Sequence, residues 1–229
     1  MKKIIILSSI ILSSLNINAA YHSVVNNSNY IIETSPSQTV LNCSLNTNTD
    51  SSMPTLNFTG GEDCDTLILN DLVSVNGNVM ITSNKLNNVS LPNLSTIDLD
   101  LIISENSLTI LNLSSLTSIG QDLNISSDTL TGLSLPNLSY LNDSFKLSGL
   151  NLDTLNLPKL TSVGNMFDIS ETNITDLSSL SNFVYIFLVL NKDLTYTYPD
   201  VSSPFCEAYA IYDIAVIDQD WNDINNVCQ

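Results

Sequence analysis

Apolar residues return at a fixed step of 22 positions through the middle of the chain. One column reads Leu69, Leu91, Leu113, Leu135, Leu157, and three residues on a second reads Leu72, Leu94, Leu116, Leu138, Leu160. Others run from Leu67 to Leu155, from Val75 to Val163, from Val79 to Phe167 and from Ile81 to Ile169. A seventh begins at Cys64 and continues as Leu86, Leu108, Leu130, Leu152, Ile174. No insertion breaks the step over five turns. A repeat of this size implies one supersecondary unit stacked on copies of itself, because a single unit cannot bury its own apolar face.

Each repeat holds two alternating pieces. The first is Leu-x-x-Leu-x-Leu, as in residues 108–113 and 130–135. The second is shorter, as in residues 122–126 and 166–170. Period-two alternation predicts a strand in both places. Pro92, Pro136 and Pro158 share a column with Asn70 and Ser114 after the first piece, which marks a strand end or turn. Asn76, Asp98, Gly120, Asn142 and Gly164 precede the second piece. These residue types share a tolerance for positive φ, so they predict a recurring left-handed corner at which Asn replaces Gly120 at little cost. Thr82, Ser104, Ser126, Ser148 and Ser170 follow the second piece and suggest a hydroxyl ladder. The coil is therefore read as strand, corner, strand, corner. A leucine-rich horseshoe would need a helix or 3₁₀ turn in its second half and an Asn where Leu stands here. The pattern favours an all-β solenoid with parallel sheets.

The period frays after Ile174, where residues 183–191 are apolar almost throughout and the register slips. Exposed solenoid ends are open sheet edges and need covers. The expected organisation is a signal peptide over residues 1–20, an N-terminal cap over 21–64, repeats over 65–195 and a C-terminal cap over 196–229. The leader reading rests on Lys2 and Lys3, the short apolar run Ile4–Leu15 and the small residues Ala19 and Ala20. That run is too short to span a bilayer, and no later stretch is long and apolar enough. The chain ends at Cys228 and Gln229 with no hydrophobic tail of the GPI-signal type, so the expected mature product is secreted and soluble.

Charge narrows the partners. Removal of the leader leaves Lys85, Lys146, Lys159 and Lys192 against 23 acidic residues, a net charge of −19, and the chain contains no Arg. Phosphate recognition relies on Arg forks and basic patches, which argues against nucleic acid, nucleotides and anionic lipids. Cys43, Cys64, Cys206 and Cys228 form an even set suited to two disulfides in a secreted chain. Four cysteines allow three pairings. Cys43–Cys64 and Cys206–Cys228 are favoured because each pair lies close to one coil apart, and stacked coils bring Cα atoms to about 4.8 Å.

The phrases SLPNLSTI (90–97), SLTSIG (115–120), SLPNLSYL (134–141) and NLPKLTSVG (156–164) resemble the fungal cell-wall glycoprotein family of the extracellular-mutant and sporulation-specific type. Those proteins are similar to the L domains of the insulin and epidermal growth factor receptors. The resemblance implies a right-handed parallel β-helix with disulfide-bonded caps and a role in cell-wall organisation. It supplies no catalytic motif.

Chemistry outside that resemblance is sparse. His22 is the only histidine and lies beside the expected cleavage point, which argues against a His-based triad on the folded body. A carbohydrate-cleaving β-helix enzyme would need clustered carboxylates. Asp98 with Asp100, and Asp218 with Asp220, are the pairs on offer, and each reads more simply as a solvated corner or cap. The run Asp218, Asp220, Asn222 echoes a calcium loop but lacks its turn Gly and closing Glu. No cofactor or metal motif is present, and nothing in the pattern specifies an oligomer. Ten N-x-S/T sequons occur, at Asn26, Asn42, Asn57, Asn88, Asn93, Asn112, Asn124, Asn137, Asn142 and Asn173. Composition alone would supply about six or seven. The expected function is a secreted, N-glycosylated, non-catalytic protein of the cell surface or wall, with a wall polysaccharide or surface protein as partner. The alternatives are a receptor-like ligand-binding module and a carbohydrate-active enzyme.

Overall fold

The computed structural model describes residues 52–59, 65–83, 85–149, 151–184, 187–190, 194–199, 202–204 and 206, together with the strands His22–Asn26, Asn29–Glu33, Cys43–Ser44 and Val216–Asp218. It is an all-β solenoid of about six turns with parallel ladders. Helix among the described residues is confined to the 3₁₀ turn Ser178–Leu180 and to Pro204 and Cys206.

Each coil has three sides rather than the two strands that alternation predicts. The first side carries three-residue strands such as Asn88–Ser90 and Ile110–Asn112. The second carries two-residue strands such as Thr96–Ile97 and Ser118–Ile119, paired Thr96 to Ser118 and Ile97 to Ile119. The third carries the longest strands, such as Leu101–Asn106 and Leu123–Ser127. The Pro-containing turn joins the first two sides, and the corner column joins the second to the third. A two-residue strand is too short to display alternation, so the second side was hidden inside what reads as corner.

The third side continues through ten strands, from His22–Asn26 to Val216–Asp218. Leu56–Thr59 already stacks on Val79–Thr82, and Val216–Asp218 stacks on Leu188–Leu190. The ladder therefore runs into both stretches that the sequence marks as caps. The seven apolar columns line the core, and from Leu67 to Ile174 every member is buried except Leu111.

Polar side chains stitch successive coils at the corners. Ser95 Oγ donates to Val73 O, Thr117 Oγ1 to Ser95 O, Ser139 Oγ to Thr117 O and Thr161 Oγ1 to Ser139 O, at 2.8–3.2 Å. This hydroxyl ladder occupies the column before the second side, a different column from the one where the sequence suggests it. At the sixth coil the register slips by one residue, as the fraying pattern indicates. Val184 N reaches Thr161 O, 23 residues back, where Thr161 N reaches Ser139 O, 22 back. The 3₁₀ turn sits in that coil. Its Ser179 Oγ accepts from Leu157 N at 3.3 Å and donates to Leu155 O at 3.1 Å, replacing the next strand's peptide group.

The corner glycines need no left-handed backbone. Among the described glycines, Gly149 alone has a positive φ, at 149°. Gly120 and Gly164 are selected by close approach instead. A Cβ at either would lie 1.9 Å from the carbonyl oxygen of the residue one coil below, Asp98 or Asn142.

Candidate functional site

Of the carboxylates that sequence offers to an enzyme, Asp100 is absorbed by the scaffold. Asp100 Oδ1 accepts from Asp122 N at 3.1 Å, and Asp122 Oδ1 accepts from Ser144 N at 2.9 Å. Asn78 Oδ1 does the same for Asp100 N at 3.0 Å. Each side chain thus caps a corner amide of the next coil, and each is half-buried. Asp98 stands apart, exposed at the neighbouring corner position. Asp218 contributes backbone pairing with Leu190, and Asp220 lies outside the described residues. Among the described residues, no three His, Cys, Asp or Glu side chains gather as a metal site.

An acceptor oxygen is what this column requires, not charge, because Asn78 performs the same task. Asp122→Ala should destabilise by about 1–2 kcal/mol by stranding the Ser144 amide, while Asp122→Asn should stay within about 0.5 kcal/mol. Denaturant melts of the two variants check this. Equal losses would mean that the carboxylate charge matters and the capping account is wrong.

The sequons fall on the first and third sides of the coil and in the turns between sides. Asn124 is exposed on the third side, Asn142 at a corner, Asn173 at the turn back to the first side and Asn93 in the Pro-containing turn. Asn93 Nδ2 donates to Asn70 O at 2.7 Å, and Asn137 Nδ2 donates to Ser114 O at the same distance. Asn112 Nδ2 donates to Ser90 Oγ at 3.3 Å. Those three amides are engaged in inter-coil bonds, whereas Asn142 uses its oxygen, accepting from the Tyr140 hydroxyl. Asn57 and Asn88 are half-buried in strands. Asn26 lies in the strand His22–Asn26, and Asn42 is outside the described residues.

Cys206 is buried and disulfide-bonded. Its backbone amide donates to Ser203 Oγ at 3.3 Å. Cys43 pairs by backbone register with Leu67, three residues beyond Cys64. Cys64 and Cys228 lie outside the described residues, as does the expected pairing itself.

Among the described residues the first side alone is interrupted. Its ladder stops between Ile110–Asn112 and Gly132–Ser134, leaving a four-stranded sheet and a two-stranded one. At the flanking junctions Thr109 N reaches Asn87 O and Asp153 N reaches Thr131 O, but no bond of this series joins Thr131 to Thr109. The cause lies on the adjacent third side. An irregularity after Ile103 sets Asn106 opposite Ser127, a step of 21, and Thr129 Oγ1 then takes Leu108 O at 2.7 Å. The next junction but one compensates, with Ser148 opposite Glu171, a step of 23. Bulges of this kind recur beside binding sites because they re-aim the chain.

The break opens a cleft of about 430 Å³ lined by Thr109, Ile110, Leu111, Gly132, Leu133 and Thr154, with Ser134 and Asn156 at one end. No lining side chain is charged. Ile110 is 53% exposed, and Leu111 is the one half-exposed residue in its column. Sequence reading missed this site. The available signal was Gly132, a residue without a side chain in the column of Thr66, Asn88, Ile110 and Thr154.

The chain matches no protein family, no curated protein and no solved structure. No helix among the described residues is long and apolar enough to cross a membrane.

Proposed function

We propose that this chain is a secreted, N-glycosylated, non-catalytic β-solenoid of the cell surface or cell wall. The observation that carries the reading is the disulfide at Cys206, since such bonds persist in oxidising compartments. The leader-like residues 1–20 and the exposed sequons Asn124, Asn142 and Asn173 point the same way. The resemblance of the Leu-Pro-x-Leu phrases to fungal wall glycoproteins adds wall organisation as the role. A binding role is the favoured second reading, because the cleft exposes Ile110 and half-exposes Leu111, a member of an otherwise buried core column. A hydrolytic role fares worse on the same ground: the lining holds no acid or base, and Asp100 and Asp122 are spent on corner amides.

The test is expression of the full chain in a eukaryotic secretory host. The protein should enter the medium with its N-terminus near Tyr21 and lose mass on treatment with an N-glycosidase. Occupancy should be highest at the exposed Asn124 and Asn142, and low at Asn93, Asn112 and Asn137, whose amides are engaged. Retention in the cytosol with an intact leader and no glycan would refute the proposal.

A further inference from the structure

We infer that Asn76 is a self-modifying residue: the Gly77 amide nitrogen closes on its side-chain carboxamide, and the corner ages to an isoaspartyl link without an enzyme. Asn76–Gly77 is the only Asn-Gly step in the chain, and a residue with no Cβ puts no steric bar in front of that ring closure. Asn76 is exposed at the corner between the second and third sides. It lies in none of the ten sequons, so no glycan shields it.

The fold leaves the attacking amide unheld. In later coils the amide after the corner column is tied to the coil below. Leu99 N donates to Gly77 O, Gln121 N to Leu99 O, Asp143 N to Gln121 O and Asn165 N to Asp143 O, at 3.1–3.3 Å. Among the described residues Gly77 N makes no bond of this series. The cause is a mismatch in length. Met53 pairs with Val75 and Leu56 with Val79, so Asn76, Gly77 and Asn78 stand over Pro54 and Thr55 alone. Three residues cannot all pair with two. Pro54 O, which lies beneath Gly77, accepts from Thr55 Oγ1 at 2.8 Å instead. Gly77 is buried, so its N–H is an orphan donor, and ring closure consumes it without breaking an inter-coil bond.

Asn142 shares the column and is protected. Its carboxamide oxygen accepts from the Tyr140 hydroxyl, the Asp143 amide that would attack it is bonded to Gln121 O, and residue 143 carries a side chain. The chemistry at Asn76 balances with water as the sole co-reactant. Base takes the proton of Gly77 N, the nitrogen attacks Asn76 Cγ, a C–N bond forms, and the side-chain nitrogen leaves as ammonia. Water then opens the cyclic imide at either carbonyl, giving aspartate or isoaspartate. The product carries an added negative charge in the column of the exposed Asp98. This inference does not depend on secretion and stands or falls separately from it.

The experiment incubates the full chain and a capped Val-Asn-Gly-Asn peptide, residues 75–78, side by side in mildly alkaline buffer and follows both by mass-spectrometric peptide mapping. Circular dichroism run in parallel keeps the comparison to folded protein. Asn76 should lose ammonia and then stand about 1 Da above the starting mass, as a mixture of isoaspartate and aspartate. Its rate should lie within about tenfold of the peptide's, and Asn142 should react at least about tenfold more slowly than Asn76. Asn76→Ser, at an exposed position, should remove the acidic form that isoelectric focusing resolves in the aged parent. A folded-state rate more than about tenfold below the peptide's overturns the inference, because the corner would then be holding the Gly77 amide. So does a separation of less than about tenfold between Asn76 and Asn142, aspartate formed without isoaspartate, or an undiminished acidic form in Asn76→Ser.

Discussion

Phe167→Ala should destabilise the protein by about 3–5 kcal/mol, the range for removing a buried aromatic ring. Phe167 is fully buried at the junction of two ring contacts. Its ring lies 4.3 Å from Phe145, at 2° to it, and 5.7 Å from Phe183, at 75°. The face-to-face pair is not the arrangement that isolated aromatic rings prefer. It is imposed here because Phe145 and Phe167 occupy one column and the strand spacing sets their separation. Phe183 arrives edge-on because the one-residue slip of the sixth coil brings it in from another column. Truncation at 167 therefore opens a cavity beneath the coil that carries Leu188–Leu190. Phe167→Leu should cost about 1–2 kcal/mol, since Leu101 and Leu123 fill the same column in earlier coils. Guanidinium melts compare the two variants, and hydrogen exchange locates the damage. Loss of protection should begin at Leu188–Leu190 and spare Leu101–Asn106. A Phe167→Ala loss below about 1.5 kcal/mol would show that the C-terminal coils do not share the continuous core described above.

The core was legible before the fold was seen, and the reason is physical. A strict 22-residue step puts equivalent side chains in one stack, so burial at one coil predicts burial at the next. Leu72, Leu94, Leu116, Leu138 and Leu160 are all fully buried. The limits of that logic also have physical causes. Thr96–Ile97 and its equivalents are too short for any periodic signal, so the second side went unread. Asp100 read as half of a solvated corner pair with Asp98, because capping of a corner amide one coil away is a contact across 22 residues that no local pattern reports. The cleft depends on a slip of one residue on a neighbouring side. The sequence step remains 22 there, and only the hydrogen-bonding partner changes. Gly132 was the visible trace, and a lone glycine in a column is too weak a sign to build a site on.

Gly120→Asn should cost about 2–4 kcal/mol, close to the loss for Gly120→Ala, and Gly120→Val should cost at least as much. This reverses the sequence expectation, in which Asn at 120 is nearly silent because Asn142 and Asn76 share the column. A left-handed corner would indeed discriminate Asn from Ala, since Asn tolerates positive φ. Steric approach does not, because any Cβ meets the same atom. At Gly120 that atom is Asp98 O, 1.9 Å away, with Asp98 C at 2.6 Å. Both belong to backbone, and they cannot swing aside as a side chain can. Relief would require the corner to move away from the coil below, and Gly120 N is held to Ile97 O at 2.8 Å and Gln121 N to Leu99 O at 3.1 Å. The strain would therefore be met by stretching those two bonds. Urea melts of the Ala, Asn and Val variants separate the accounts. If Asn melts like the parent while Ala does not, the corner is left-handed in solution. If Ala and Asn fall together, tight stacking of one coil on the next selects glycine here, and Gly164, at 1.9 Å from Asn142 O, should behave the same way.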